Sequence, residues 1–158
     1  MPDSVQVETH QLRLNGMGTY RKVGFLVLVA GLYLSSPESS PEKILASDSP
    51  RKYVTHFLRN VGPKRICDAW RKGLRDNVPN ASEQMRARFD TLCTWMRDFH
   101  PGDEITVTYL PGIGSRIEIT GAEMRVIPGK EFADAYFSLA LGPKPSLGTK
   151  LKRRLLGR

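Results

Sequence analysis

Apolar and polar residues alternate along the first part of the chain, as they do in strands with one buried face. Val5 and Val7, for example, alternate with polar residues. Asn15-Gly16 predicts a turn after this region, because both residues tolerate positive φ. Phe25–Leu34 is apolar almost throughout, which predicts a central strand that is covered on both sides. A further strand is predicted over Arg51–Arg59.

Helical spacing replaces this alternation in the middle of the chain. Pro63 is predicted to open a helix whose apolar stripe includes Ile66 and Trp70. Asn80 is the predicted N-cap of a second helix, since Glu83 follows it at the spacing of a capping box. The apolar positions of this second helix recur at steps of four and three: Met85, Phe89, Leu92, Met96 and Phe99.

The C-terminal part returns to strands and ends in helices. A hairpin is predicted over Ile105–Thr120 and a short strand over Met124–Ile127, before a helix that contains Phe132 and Tyr136. This order of elements indicates an α+β fold with a large antiparallel sheet and helices packed on one face. The length of 158 residues fits one domain over residues 1–158.

The chain is basic, with 24 Lys and Arg against 16 Asp and Glu, and most of the excess lies in one segment. Residues 144–158 hold six cations and no acid, while Leu147, Leu151 and Leu155 recur every four residues. We therefore expect a basic amphipathic C-terminal segment docked on the domain. The alternative is a tail that binds nucleic acid or a membrane surface. No aromatic residue is interleaved with the cations, so no nucleic-acid partner is expected.

Membrane, metal and disulfide signals are weak. The longest uncharged run, Val23–Leu34, is shorter than the ~20 residues of a spanning helix, so no transmembrane segment is expected. The histidines and cysteines show no metal-ligand spacing, so no metal site is predicted. Cys67 and Cys93 are interpreted as two buried thiols, with a disulfide as the alternative in an oxidising compartment. The compartment is periplasmic if the chain is a trimmed mature form and cytoplasmic otherwise; the oligomeric state stays open.

A set of segments in a fixed order points to a family. They are Leu14–Gly18, Val29–Leu34, His56–Arg59, Asp68–Leu74, Gly102–Glu118, 127–132 and 155–157. Over nearly its whole length the chain resembles the bacterial chalcone-isomerase-like proteins. The resemblance implies an open-faced β-sandwich, which agrees with the fold class expected from the patterns.

The resemblance also implies where a catalytic site would lie. In the plant enzymes an arginine stabilises the anion that closes a flavanone ring within one molecule. The matching position here is Tyr20, and Arg21 follows one step later, where a strand points its side chain to the other face unless a bulge intervenes. The other plant site residues match positions that keep none of their identities: Leu28, Arg65, Asp68 and Lys72. Chalcone isomerase activity is therefore not expected.

Relatives without the isomerase residues imply a binding function instead. The expected ligand is a small apolar or anionic molecule, such as a fatty acid, a flavonoid-like compound or haem, in the cleft between sheet and helices. No cofactor is required; for haem, His56 would be the iron ligand, although a strand histidine is more often a hydrogen-bonded structural residue. The alternative is an active intramolecular lyase that uses Arg21, with Tyr20 or Tyr109 handling the proton. The predicted ligand-binding residues are Arg21, Tyr33, His56, Arg59, Tyr109 and Arg116.

Overall fold

The computed structural model describes residues 1–158 and contains one sheet of seven strands. The strands are β1 Ser4–Val7, β2 His10–Lys22, β3 Phe25–Leu34, β4 Arg51–Phe57, β5 Glu104–Leu110, β6 Gly114–Ile119 and β7 Arg125–Ile127. Each strand pairs antiparallel with its neighbour in the sequence, so the sheet order is the chain order. The expected large antiparallel sheet is confirmed.

Five helices cover one face of this curled sheet. They are α1 Pro41–Ala46, α2 Pro63–Asn77, α3 Glu83–Thr94, α4 Lys130–Leu141 and α5 Thr149–Leu155. Their apolar side chains share a core of 31 buried residues with one face of the strands. The α+β fold class, an open-faced β-sandwich with helices packed on one face, is therefore confirmed. None of these helices is long and apolar enough to cross a membrane.

The opposite face of the sheet holds a much smaller core. Its five buried residues come from the strands alone: Val7, Leu12, Tyr33, Val54 and Leu110. Strand β3 contributes to both cores, because Leu32 and Leu34 face the helices while Tyr33 faces away. This explains why the sequence of β3 is apolar at successive positions.

The predicted turn at Asn15-Gly16 is wrong. Strand β2 runs through these residues, and the turn that follows it lies at Val23-Gly24. Asn15 is an extra residue in the ladder, and its amide nitrogen donates hydrogen bonds of 2.9 Å to the carbonyl oxygens of Glu38 and Leu155. Asn15 therefore ties β2 to the last residue of α5 and to the loop that precedes α1 instead of reversing the chain.

Two glycines that follow Asn15 on β2, Gly16 and Gly18, allow α5 to pack closely on this strand. A Cβ atom added to Gly16 would overlap the carbonyl oxygen of Arg154, and one added to Gly18 would lie 2.8 Å from Cδ1 of Leu151. Leu151 and Leu155 are buried against the sheet, while the cations of α5 lie mostly outside. The absence of side chains at these positions lets the helix backbone contact the strand.

Helix α3 begins and ends at residues other than those expected from the sequence. Ser82, not Asn80, is the N-cap: its Oγ accepts a hydrogen bond of 3.1 Å from the Met85 amide. The helix ends at Thr94, before the last two positions of the predicted apolar stripe.

Cys67 and Cys93 form a disulfide between α2 and α3, with their Cα atoms 5.8 Å apart. The interpretation of these residues as two buried thiols is therefore wrong.

The packing of α5 on β2 makes a testable prediction. Gly16→Ala is expected to lower the free energy of unfolding by about 1–3 kcal/mol, because the new methyl group overlaps helix backbone. Chemical denaturation measures this change. Met17→Ala, at the exposed neighbouring position, is the control and should change the free energy of unfolding by less than about 0.5 kcal/mol. Equal stability of the two variants would contradict the close contact.

Candidate functional site

A cavity of about 200 Å³ lies between the sheet and helices α2 and α4. Fourteen of its 18 lining residues are hydrophobic. The large aromatic side chains among them are Tyr20, Tyr53, Phe57, Trp70 and Tyr136. The volume is below the ~300–1,000 Å³ typical of pockets for drug-sized ligands, which favours a slender apolar ligand.

Strand alternation decides which side chains reach this cavity. Tyr53, Thr55 and Phe57 occupy alternate positions of β4 and all line the cavity, as do Tyr20 and Lys22 on β2. The intervening residues point to the other face of the sheet.

A bulge in β3 adds a further residue to the lining. Tyr20 pairs with Leu28 and Arg21 pairs with Leu26, so Val27 is an extra residue on β3. The break in register lets Val27 and Leu28 both line the cavity although they are consecutive. The bulge therefore widens the apolar wall at the start of β3.

The two helices supply the opposite wall. Helix α2 contributes Ile66, Ala69 and Trp70, which share one helix face, and α4 contributes Tyr136 and Leu139. The rings of Trp70 and Tyr136 meet edge to face, with their centroids 5.9 Å apart. This contact joins the helices above the cavity.

Of the tyrosines that line the cavity, two are buried and have no hydrogen-bonding partner in the protein. The side chains of Tyr53 and Tyr136 are buried, and their ring centroids are 6.3 Å apart. Burial raises the pKa of both phenols far above the ordinary value, with no hydrogen bond contributing to either shift. Both groups are therefore neutral and available to donate to an acceptor inside the cavity.

Cations mark the mouth of the cavity. Lys22 and Arg65 line it and are also exposed to solvent, on β2 and α2 respectively. Neither forms a salt bridge. The cavity thus combines an apolar interior with two unpaired positive charges at its entrance, an arrangement that suits an amphipathic anion.

Of the residues predicted from the sequence, Tyr20 lines the cavity and Arg21 does not. The side chain of Arg21 is exposed, and its Nη1 donates to the carbonyl oxygen of Gly24 at 3.4 Å. The bulge lies on β3, between the partners of Tyr20 and Arg21, and it does not turn Arg21 inward. The expected catalytic pair is therefore divided between two faces of the strand.

Tyr33 and His56 lie on the face of the sheet away from the cavity. The Tyr33 hydroxyl donates to the carbonyl oxygen of Pro2 at 2.7 Å, and burial is the main cause of its raised pKa. Nδ1 of His56 lies 2.8 Å from a carboxylate oxygen of Glu104. No histidine lines the cavity, so His56 cannot serve there as the iron ligand that the haem hypothesis requires. No group of three or more His, Cys, Asp or Glu side chains could hold a metal ion.

The remaining three predicted residues have other contacts. The guanidinium of Arg59 lies 4.4 Å above the ring of Phe25, and Arg116 pairs with Glu8. The Tyr109 hydroxyl donates to Asp48, and burial together with this carboxylate raises the pKa of Tyr109 to about 12. None of the three lines the cavity.

Sequence reasoning missed the most informative side chains of the cavity. Tyr53 and Tyr136 were each placed on the correct strand or helix, and the alternation of Tyr53 with Phe57 was a usable signal for a shared apolar face. Lys22 carried no local signal, because an exposed cation in the sequence does not show what it borders. Leu28 and Arg65 both line the cavity, and the family resemblance matches both positions to plant site residues.

The comparisons with known proteins agree with this architecture. A model of the family described as chalcone isomerase-like matches residues 1–157. The chain is similar to the crystal structure of an Arabidopsis thaliana fatty-acid binding protein, with a TM-score of 0.69 and 14% sequence identity. This alignment covers 99% of the present chain and 90% of the plant protein. No curated protein matches the chain in sequence.

The buried phenols predict a loss of stability at alkaline pH. The folded-state pKa values of Tyr53, Tyr109 and Tyr136 lie above those of the unfolded chain, so stability is complete below about pH 10 and falls as the unfolded phenols ionise. Above about pH 10, each of these phenols is expected to lower the free energy of unfolding by up to about 1.4 kcal/mol per pH unit. Denaturant midpoints measured across this range test the slope.

The double variant Tyr53→Phe and Tyr136→Phe is the matched comparison. It should retain the part of the alkaline loss that comes from Tyr33 and Tyr109, whose pKa values are also raised, and lose the part that comes from Tyr53 and Tyr136. An identical pH dependence in the variant and the wild type would contradict the assignment.

Proposed function

We propose that this protein, which belongs to the chalcone isomerase-like family, binds a fatty acid or a similar slender apolar acid in the cavity between its sheet and helices. The observation that carries the proposal is the combination of an apolar interior with two unpaired cations at its entrance. Ligand binding, and not ring closure, is the function that this arrangement supports.

The acyl chain would occupy the interior. Burying a methylene group in an apolar site contributes about 0.8 kcal/mol, so an alkyl chain gains affinity from each carbon that the walls enclose. The aromatic side chains of Phe57 and Trp70 and the aliphatic side chains of Ile66 and Leu139 provide those walls.

The carboxylate would lie at the mouth. An ionised carboxylate in the interior would have no cation beside it, and an unpaired buried charge is strongly unfavourable. Lys22 and Arg65 provide charge-assisted donors at the entrance, where water still screens the pair. The phenols of Tyr53 and Tyr136 are left to donate to water or to a neutral oxygen of the ligand.

The similar plant structure supports the choice of ligand class. That protein is described as a fatty-acid binding protein, and it shares the fold over nearly the full length of both chains. The alternative function, an intramolecular lyase that uses Arg21, requires its cation beside the reacting anion. Arg21 lies outside the cavity, so this observation favours binding.

Decanoate binding tests the position of the carboxylate. The double variant Lys22→Gln and Arg65→Gln is expected to bind decanoate about tenfold more weakly in calorimetry, because two partly screened charge contacts are removed. Methyl decanoate, which lacks the charge, should bind the wild type and the variant equally. Lys64→Gln, on the same helix but paired with Asp68 away from the cavity, is the control and should leave affinity unchanged.

Two results would count against this arrangement. Loss of affinity confined to Tyr53→Phe and Tyr136→Phe would place the carboxyl group inside the cavity. Failure of the wild type to bind any saturated acid, together with chalcone cyclisation above the spontaneous rate, would favour the lyase.

A filled cavity should abolish binding of the acyl chain. Ala69→Leu adds three carbons on the cavity face of α2 and is expected to weaken decanoate binding at least tenfold while the protein remains folded. Ala87→Leu, on the exposed surface of α3, is the matched control. Affinity across a series of chain lengths should rise about fourfold per methylene and then level off once the cavity is full. Unchanged binding by Ala69→Leu would place the ligand elsewhere.

A further inference from the structure

The turn between β2 and β3 carries the two most exposed large hydrophobic side chains of the protein. Val23 is 87% exposed and Phe25 is 55% exposed. A single exposed apolar side chain needs no explanation, but two of them at the tip of one hairpin form a local apolar surface. We call the residues Val23, Gly24 and Phe25 the hairpin tip.

The backbone at this tip disfavours valine. Lys22 pairs with Phe25 across a two-residue turn, and both turn residues have positive φ, 51° at Val23 and 79° at Gly24. Turns of this type favour Asn, Asp or Gly at the first position, whereas a β-branched residue there is strained. Folding alone would favour asparagine at position 23, so the fold does not account for the valine.

Cations surround the hairpin tip. Arg21 and Lys22 precede it, and Arg59 lies over the ring of Phe25. None of the three forms a salt bridge, and no acidic residue occurs in the sequence from position 20 to 37. An apolar tip within a ring of cations is complementary to a lipid surface with negatively charged headgroups.

The hairpin tip also adjoins the mouth of the cavity. Tyr20 and Lys22 on one strand and Val27 on the other line the cavity, and the tip lies between them in the chain. A surface that engages the tip would therefore lie beside the entrance.

We propose that the hairpin tip docks the protein on an anionic lipid bilayer, with the mouth of the cavity beside the membrane. Val23 and Phe25 enter the boundary between headgroups and acyl chains, while Arg21, Lys22 and Arg59 contact the headgroups. Docking itself does not require a ligand. Its use, the exchange of an apolar acid between bilayer and cavity, rests on the proposed function.

Sedimentation with vesicles tests docking in the absence of fatty acid. The full chain should bind vesicles that contain phosphatidylglycerol, bind pure phosphatidylcholine vesicles more weakly, and lose affinity as salt rises. Val23→Asn should weaken binding to the anionic vesicles roughly tenfold, the loss expected when one valine side chain stays in water. Ile113→Asn, at an exposed apolar position of the β5–β6 turn, is the control and should bind as the wild type does.

The stability of Val23→Asn separates docking from a structural role. The substitution relieves the backbone strain, so the variant should unfold at a higher temperature than the wild type and should bind decanoate in solution with unchanged affinity. More stable protein with weaker vesicle binding is the result that supports docking. Failure of the wild type to bind decanoate would overturn the proposed function and leave the vesicle result interpretable.

Three outcomes would overturn the docking proposal. One is unchanged vesicle binding by Val23→Asn. Another is loss of binding only when the α5 cations are replaced, as in Arg153→Gln with Arg154→Gln, because this result would assign the contact to the C-terminal helix. The third is a change from dimer to monomer in Val23→Asn without a change in vesicle binding, because this result would make the tip a contact between two copies.

Discussion

The structure depends on how completely the helices cover one face of the curled sheet. That face is mostly apolar, and the hydrophobic effect requires a cover for it. Over most of β5 and β6 the helices pack directly on the sheet, and residues such as Val107 and Ile117 are fully buried. Where β2 and β4 end and β3 begins, the cavity separates helices α2 and α4 from the sheet, and the rings of Trp70 and Tyr136 line it from the helix side.

An ion pair with a buried arginine holds this cover in position. Arg51 on β4 pairs with Asp134 on α4, and its Nη1 donates to the carbonyl oxygen of Ile44 in α1 at 2.7 Å. Its guanidinium also lies 4.9 Å from the ring of Phe137. One side chain thus joins two helices to the sheet, and this geometry orients the face of α4 that bears Tyr136. Removing Asp134 would leave the buried guanidinium of Arg51 without a carboxylate partner, which makes the pair sensitive to change at that position.

A difference of one residue on β2 separates the two functional interpretations. Tyr20 faces the cavity and Arg21 faces away from it, so the position that would hold the catalytic arginine holds a phenol. The positive charge of the site comes from Lys22 and Arg65 at the entrance instead. A cation at the mouth can attract an anion from solvent, whereas stabilising a reacting anion needs a cation held in the dry interior. The placement of charge therefore favours binding.

The sequence by itself determined the periodic features of this protein. Alternation and helical spacing predicted the strands over Phe25–Leu34 and Ile105–Thr120 and the helix that begins at Pro63, and from these the fold class followed. The turn predicted at Asn15-Gly16 was wrong, because glycine occurs in tight turns and also where two backbones come close. Only the packing of α5 on β2 shows that Gly16 is there for the second reason. The tertiary structure alone decided that Cys67 pairs with Cys93 and which side chains line the cavity. A cavity is formed by side chains from distant parts of the chain, and each of them enters or leaves it according to strand register, bulges and helix packing, which no local pattern records.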